Sequence, residues 1–327
     1  MKLRQIAACA FALVASCFLA SRANALMVSP PVVDYEMDPG KSQTGKILIS
    51  NDSNETYTYI VSTQRFKAGG ENGDPDILPE NEDNAVNDLK DWITFSGEQT
   101  VTLDPGQFRE FTYEIQVPQN AEPGGHYAVA FFSHYSNVEG ESGVGLGAKL
   151  GVLFLVNVSG NTTEGANLES FAMRNTFISH LPAEMSIRIR NTGTNYFRPK
   201  GNVTIRNIFG MESAKIPANT NKNAVLPNSI RRLDTWWVKD QYSVKDEGFV
   251  SGLKNEWNNF GFGYYTATAY VTYGTKDTRF DPISVHFWVF PWRISLLVVV
   301  ALIALFMLIK LYNRSIISSA MRKNEKK

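Results

Sequence analysis

The chain has 327 residues, enough for two domains with cores of their own, and it carries 32 Lys and Arg against 32 Asp and Glu. Setting aside Lys2, Arg4 and Arg22 at one end and Lys310, Arg314, Arg322, Lys323, Lys326, Lys327 and Glu325 at the other leaves 23 basic against 31 acidic residues. A body of about −8 charge argues against nucleic acid as a partner, since phosphate recognition draws on Lys and Arg. The only cysteines, Cys9 and Cys17, lie near the start, so disulfides and thiol chemistry are not expected of a processed protein.

Met1-Lys2-Leu3-Arg4, an apolar run from Ile6 to Ala20, and Ser21-Arg22-Ala23-Asn24-Ala25 have the charged start and A-x-A ending of a signal peptide, residues 1–25. Val14-Ala15-Ser16-Cys17 also fits a loose lipoprotein box, with acylation of Cys17 as the alternative processing.

From 26 to 160 short β-type runs alternate with turn residues. The expected strands are Met27 to Val33, Thr44 to Asn51, Thr56 to Phe66, Gln99 to Leu103, Arg109 to Val117, His126 to Tyr135 and Ala148 to Val158. Seven such strands suit an immunoglobulin-like sandwich. Asp38-Pro39-Gly40, Asp104-Pro105-Gly106 and Glu122-Pro123-Gly124 punctuate them, Pro presetting φ and Gly accepting the turn that follows. Lys67 to Asp91 is a polar, acidic insertion. Within it Asp74 and Asp76 are candidate calcium ligands, but Leu78, Pro79 and Glu80 follow rather than the ligand-and-glycine order of an EF-hand, and a solvated loop is the competing reading. The glycine-rich run Gly143 to Gly151 lacks the Gly-Lys-Ser/Thr ending of a phosphate loop and reads as the entry to a strand.

Residues 161–165 form a linker, and a second sandwich is expected over 166–290, with strands Met185 to Asn191, Asn202 to Asn207, Arg231 to Val238, Tyr264 to Tyr273 and Ile283 to Val289. Ile49-Ser50-Asn51 parallels Ile189-Arg190-Asn191 at a strand end, which suggests a duplicated module. Trp236, Trp237, Trp257, Tyr264 and Tyr265 are dense enough for a sugar- or protein-binding platform if exposed; core packing is the alternative.

Residues 291–312 read as a transmembrane helix. Ile294 to Tyr312 is apolar apart from Ser295 and Lys310 and reaches roughly 28 Å at 1.5 Å per residue, so its partner is the lipid bilayer. Trp288, Phe290 and Trp292 precede it like an interfacial belt, and the basic tail, 313–327, belongs in the cytoplasm by the positive-inside rule. The expected whole is all-β: two tandem immunoglobulin-like sandwich domains held on the outer side of the cell membrane by one helix.

His126, His134, His180 and His286 are scattered on turns and sheet surfaces without the spacing of zinc ligands, and no Gly-x-Ser-x-Gly elbow occurs. No catalytic, metal or cofactor set is expected.

Val28-Ser29-Pro30-Pro31, Ile47 to Asn51 after the Pro39-Gly40 turn, Val101 to Gly106, Ile115-Gln116-Val117-Pro118 and Pro123-Gly124-Gly125-His126-Tyr127 carry a family likeness. The first domain resembles the N-terminal module of the WxL-interacting surface proteins of Gram-positive bacteria and, more distantly, the immunoglobulin-like domain of pilus chaperones. The resemblance implies a non-enzymatic surface protein that binds peptidoglycan through its first domain, or another surface protein. The chaperone likeness implies instead strand addition to secreted subunits, which demands one long uncovered edge strand. An extracytoplasmic enzyme of another type is the third reading.

Overall fold

The computed structural model describes residues 26–79, 87–137, 144–239 and 248–324, with side chains described outside 135–148 and 317–324. The expected signal peptide, including the Cys17 box, lies outside the described residues, as do Glu80, Glu82 and Asp83 of the acidic insertion and the last three residues of the tail. The chain divides into two compact units, Met1–Gly69 with Asp74–Thr163, and Gly70–Gly73 with Glu164–Lys327.

The first unit holds β1 (Leu26–Ser29), β2 (Val32–Met37), β3 (Ser42–Asn51), β4 (Tyr57–Gln64), β5 (Phe66–Gly69), β6 (Asp74–Ile77), β7 (Ile93–Phe95), β8 (Thr100–Leu103), β9 (Phe108–Gln116), β10 (Gly124–Asn137) and β11 (Val144–Val158). They form two sheets, β1-β3-β9-β7 and β2-β11-β10-β4-β8, with β5 and β6 paired as a separate hairpin. The sandwich is immunoglobulin-like. Its inner faces come from the period-two pattern: Phe111, Tyr113 and Ile115 of β9 are buried and Glu110, Thr112 and Glu114 are not. Aromatic rings knit the two layers edge to face, Tyr113 on Phe154 with centroids 4.9 Å apart and Phe111 on Phe132 at 5.3 Å.

Two sequence expectations change here. The single strand expected from Met27 to Val33 is two, β1 and β2, because the chain passes from one sheet to the other at Ser29-Pro30-Pro31. The insertion after Phe66 is not loop throughout, since Phe66 to Ile77 folds into the β5–β6 hairpin.

The second unit holds β12 (Ala166–Met173), β13 (Phe177–Ile178), β14 (Ala183–Asn191), β15 (Lys200–Asn207), β16 (Glu212–Pro217), β17 (Ile230–Trp237), α1 (Phe249–Asn258), β18 (Gly263–Tyr273), β19 (Thr278–Arg279), β20 (Ile283–Val289) and α2 (Trp292–Asn324). Its sheets are β12-β14-β17 and β13-β20-β18-β15-β16, with β19 against β18. In β14 the alternation is strict: Ala183, Met185, Ile187, Ile189 and Asn191 are buried and the residues between them are not. Helix α1 was not expected, although Val250, Leu253 and Trp257 have the i, i+3, i+7 spacing that announces one apolar helix face. Helix α2 runs beyond the expected end at Tyr312. Its segment Trp292–Ile316 has a mean hydropathy of 2.9 in its best window, with none of that window buried in protein.

The parallel between Ile49-Ser50-Asn51 and Ile189-Arg190-Asn191 is structural. Asn51 is fully buried, and its Nδ2 donates to the carbonyls of Glu55 (2.7 Å) and Leu103 (2.9 Å) while its Oδ1 accepts from the Ser53 N–H (3.2 Å). Asn191 Nδ2 donates to the carbonyls of Asn195 (2.8 Å) and Val225 (2.9 Å), and its Oδ1 accepts from the Gly193 N–H (2.8 Å). The offsets of two and four residues are the same in both units. Asn is the residue for such a plug because one amide supplies donors and an acceptor at once, leaving no buried backbone group unpaired where the strand ends.

Candidate interaction edge

Strands β10 and β11 form the longest hairpin of the first unit. Their register runs from Gly124 opposite Val158 to Asn137 opposite Val144, with a bulge at Gly147, since His134 faces Ala148 and Tyr135 faces Leu146. On its other side β11 has a parallel neighbour, β2, only from Leu153 opposite Val32 to Val158 opposite Met37. The sequence explains where that cover stops. Pro30 and Pro31 have no N–H to give a ladder, and the last rung is the Leu153 N–H donating to the Pro31 carbonyl at 3.0 Å. Upstream the chain has crossed to the opposite sheet, where Leu26 to Ser29 pair with Asn51 to Leu48.

Val144 to Val152 therefore has β10 on one side and, among the described residues, no strand on the other. At 3.3 Å per residue this is roughly 30 Å of backbone whose outward N–H and C=O groups alternate without a ladder. Ser42 to Ile47 of β3 and Ile283 to Phe287 of β20 also have a strand on one side alone, but these runs are shorter, and the terminal strands of the sheets are blunted. In the first unit β1, β7 and β8 have four, three and four residues. In the second, β17 bears Arg231, Arg232 and Asp234, β16 bears Glu212 and Lys215 and ends on Pro217, and β12 is bulged between Leu168 and Ser170. The open half of β11 has one charge, Lys149, and that charge is drawn sideways: its Nζ sits 3.7 Å from the Phe131 ring centroid and 3.4 Å from Gln64 Oε1.

The hairpin is held stiffly from below. Ala128, Ala130 and Phe132 of β10 and Val152, Phe154 and Val156 of β11 are buried. His134 stacks on Tyr57 at 4.0 Å and meets the edge of Tyr59 at 5.6 Å. Burial holds its pKa below the ordinary imidazole value, and its Nδ1 has no partner among the described residues. Burial likewise pushes the Tyr127 phenol up. His126 and His134 are both buried, whereas the sequence had suggested turn or surface positions.

The five aromatic residues expected to form a platform are divided by strand alternation. Trp237 and Tyr265 point inward and pack at 5.1 Å in the core, with Phe287 beside them. Trp236 faces outward from one sheet, whereas Tyr264 stacks on His286 at 5.5 Å in the other sheet and Trp257 projects from α1. Neighbours on a strand point to opposite faces, so a Trp-Trp pair cannot form one surface. Trp236 does line an open groove with Arg174, Glu184, Ser186, Arg232 and Asp234, where Arg174 pairs with Glu184 at 2.7 Å and Arg232 with Asp234 at 3.2 Å.

Asp74 and Asp76 stand on exposed β6, and Asp76 pairs with Lys67 at 3.5 Å. Among the described residues no three His, Cys, Asp or Glu side chains converge on a point where a metal would sit. The uncovered edge itself was signalled by Pro30-Pro31.

No protein-family model matches the chain, and no curated protein matches it. The WxL-interacting family therefore finds no support in these comparisons. Solved structures with a similar fold include the class 5 fimbriae chaperone CfaA, 12% identical over 80% of this chain and 99% of that chain, with a TM-score of 0.34. The E. coli chaperone DraB is 10% identical over 81% and 99%, with a TM-score of 0.33. The CsuC–CsuE chaperone–tip adhesion subunit complex of Acinetobacter baumannii pili gives 8% over 80% and 98%, with a TM-score of 0.33.

Proposed function

We propose that the protein is a membrane-tethered binding module, displayed on the extracytoplasmic side, that takes an extended segment of another surface or secreted polypeptide as an added strand along Val144 to Val152. The single observation that carries this reading is the uncovered half of β11. Strand addition draws its affinity from backbone hydrogen bonds, each worth about 1 kcal/mol net, so a segment of a few residues gives a reversible contact. The apolar Trp292–Ile316 and the basic residues after it supply the tether and its orientation.

The test is to select ten-residue peptides on the full chain held in lipid nanodiscs and to follow backbone amide exchange. A bound peptide is expected to slow exchange within 144–152, and N-methylation of its alternate amides is expected to weaken binding at least tenfold. Protection confined to another strand, or indifference to N-methylation, would sink the reading.

The Trp236 groove favours a second reading, in which the second unit holds envelope glycan such as peptidoglycan, one aromatic face stacking on a sugar between two ion pairs. Saturable pelleting with purified sacculi that Trp236→Ala abolishes would support it, whereas equal pelleting of the variant would remove it.

A further inference from the structure

One end of the second unit is apolar where turn chemistry calls for polar residues. The turn between β15 and β16 is Asn207-Ile208-Phe209-Gly210-Met211, and Ile208, Phe209 and Met211 are 67%, 82% and 59% exposed. Three large apolar side chains on a hairpin tip in water are unfavourable unless something covers them.

The strand register says which end this is. Asn207 lies opposite Tyr265 on β18, and on the far side of β18 Tyr264 lies opposite Trp288 and Gly263 opposite Val289 of β20. The tip is thus level with the last residues of β20, two strands away, and β20 leads directly into α2. Helix α1 is at the same end, because its C-terminus runs through Phe260 and Phe262 into Gly263.

Helix α1 is fastened to the start of α2 by a buried carboxylate. Glu256 is fully buried and accepts from the Ile294 N–H at 2.9 Å and from the Arg293 N–H and Nη1 at 3.3 Å, capping the first turn of the apolar helix. Val250, Leu253 and Trp257 then form an apolar groove with Ile294, Leu297, Val298 and Ala301. Ala301 is roughly 10 Å along α2 from Ile294. Val250 and Trp257 nevertheless remain 77% and 74% exposed.

We infer that this whole end is a lipid-contacting face: the Ile208–Met211 tip and helix α1 enter the interfacial layer of the outer leaflet and seat the second unit directly on the bilayer. The inference rests on the reading of α2 as a membrane span. The apolar segment Trp292–Ile316 has 25 residues, roughly 37 Å of helix against about 30 Å of hydrocarbon, so its first turns and α1 beside them fall in the interface. The surface is therefore continuous with the span. The tip is also equipped to leave water. The N–H groups of Phe209 and Met211 donate to Asn207 Oδ1 at 3.0 and 3.1 Å, the Gly210 N–H donates to the Asn207 carbonyl at 2.9 Å, and the Asn207 N–H donates to the Met211 carbonyl at 3.0 Å. A turn that satisfies these groups internally carries fewer bare donors into lipid.

The test uses the full chain with Cys9→Ser and Cys17→Ser, bearing one cysteine at a time labelled with an environment-sensitive fluorophore, in phosphatidylcholine–phosphatidylglycerol vesicles. The four sites are Phe209→Cys, Trp257→Cys, Ile303→Cys within α2, and Lys276→Cys in the turn at the opposite end of β18. The expected result is blue-shifted emission at 209 and 257, quenched at least twofold by shallow lipid nitroxides, quenching at 303 by deep nitroxides, and neither at 276. Emission at 209 like that at 276, with 303 quenched, overturns the seating while leaving the span. A blue shift at 209 without lipid quenching points to a protein or a second copy as cover, and overturns it too. No quenching at 303 removes the span and the inference with it.

Discussion

Asn51 closes β3 in the first unit as Asn191 closes β14 in the second, each bridging to the carbonyl four residues on and to a second carbonyl far away in sequence. The interiors thus solve one problem in one way. The margins do not: among the described residues the first unit leaves Val144 to Val152 of β11 without an outer strand, whereas in the second unit β20 is open only over the shorter run Ile283 to Phe287, and the edge strands β12, β16 and β17 are bulged, charged or ended by proline. Strand ends in a sandwich must satisfy buried backbone groups whatever the protein does, so their chemistry repeats. Edges and turn tips are under no such demand, and there the two units have parted.

The largest effects test the cores. Phe132→Ala is expected to cost about 4 kcal/mol and to speed exchange of the first unit's amides, and Trp237→Ala to do the same for the second, because each leaves a cavity among tightly packed rings. Trp236→Ala, one residue away but on the surface, is expected to cost less than about 0.5 kcal/mol. If Trp236 mattered as much as Trp237, the assignment of faces in β17 would be wrong.

Next come the plugs. Asn51→Ala and Asn191→Ala are each expected to cost about 3 kcal/mol by denaturant titration, since each strands buried carbonyls and an N–H. A loss at one site alone would break the equivalence of the two units. Gly201→Ala is expected to cost about 2 kcal/mol, because Gly201 has φ +134° and an added Cβ would lie 2.1 Å from the Tyr270 carbonyl oxygen, which is backbone and cannot swing away.

The smallest effect is a pH dependence in the first unit. Burial lowers the pKa of His134 in the folded protein, so the unfolded chain takes up its proton first as pH falls through the ordinary value of 6.5. Stability fully present above that pH is lost progressively below it, and His134→Phe is expected to flatten the profile of melting temperature between pH 7 and 5. An unchanged slope in the variant would assign the acid sensitivity elsewhere.

Much of the fold was legible because alternation is a local property: Met185, Ile187 and Ile189 announce their inward face in the sequence itself. The apolar helix was legible for the same reason. The β1–β2 switch was not, since Met27 to Val33 has strand composition throughout and only sheet membership, a tertiary fact, divides it. The aromatic platform misled because density in sequence says nothing of faces, and alternation sends Trp236 out and Trp237 in. The open edge could have been read only in part: Pro30-Pro31 marks where a strand must stop pairing, but which strand it stops covering depends on a partner more than a hundred residues away.

Backbone amide exchange along β11 in the protein without ligand tests the central claim most directly. Amides of Leu153 to Val158 have strands on both sides and are expected to exchange slowly, whereas the outward half of those from Val144 to Val152 is expected to exchange faster by a factor of a hundred or more, with the step falling at Leu153. Uniform protection from Val144 to Val158 would mean that the edge is already covered, and would contradict the account.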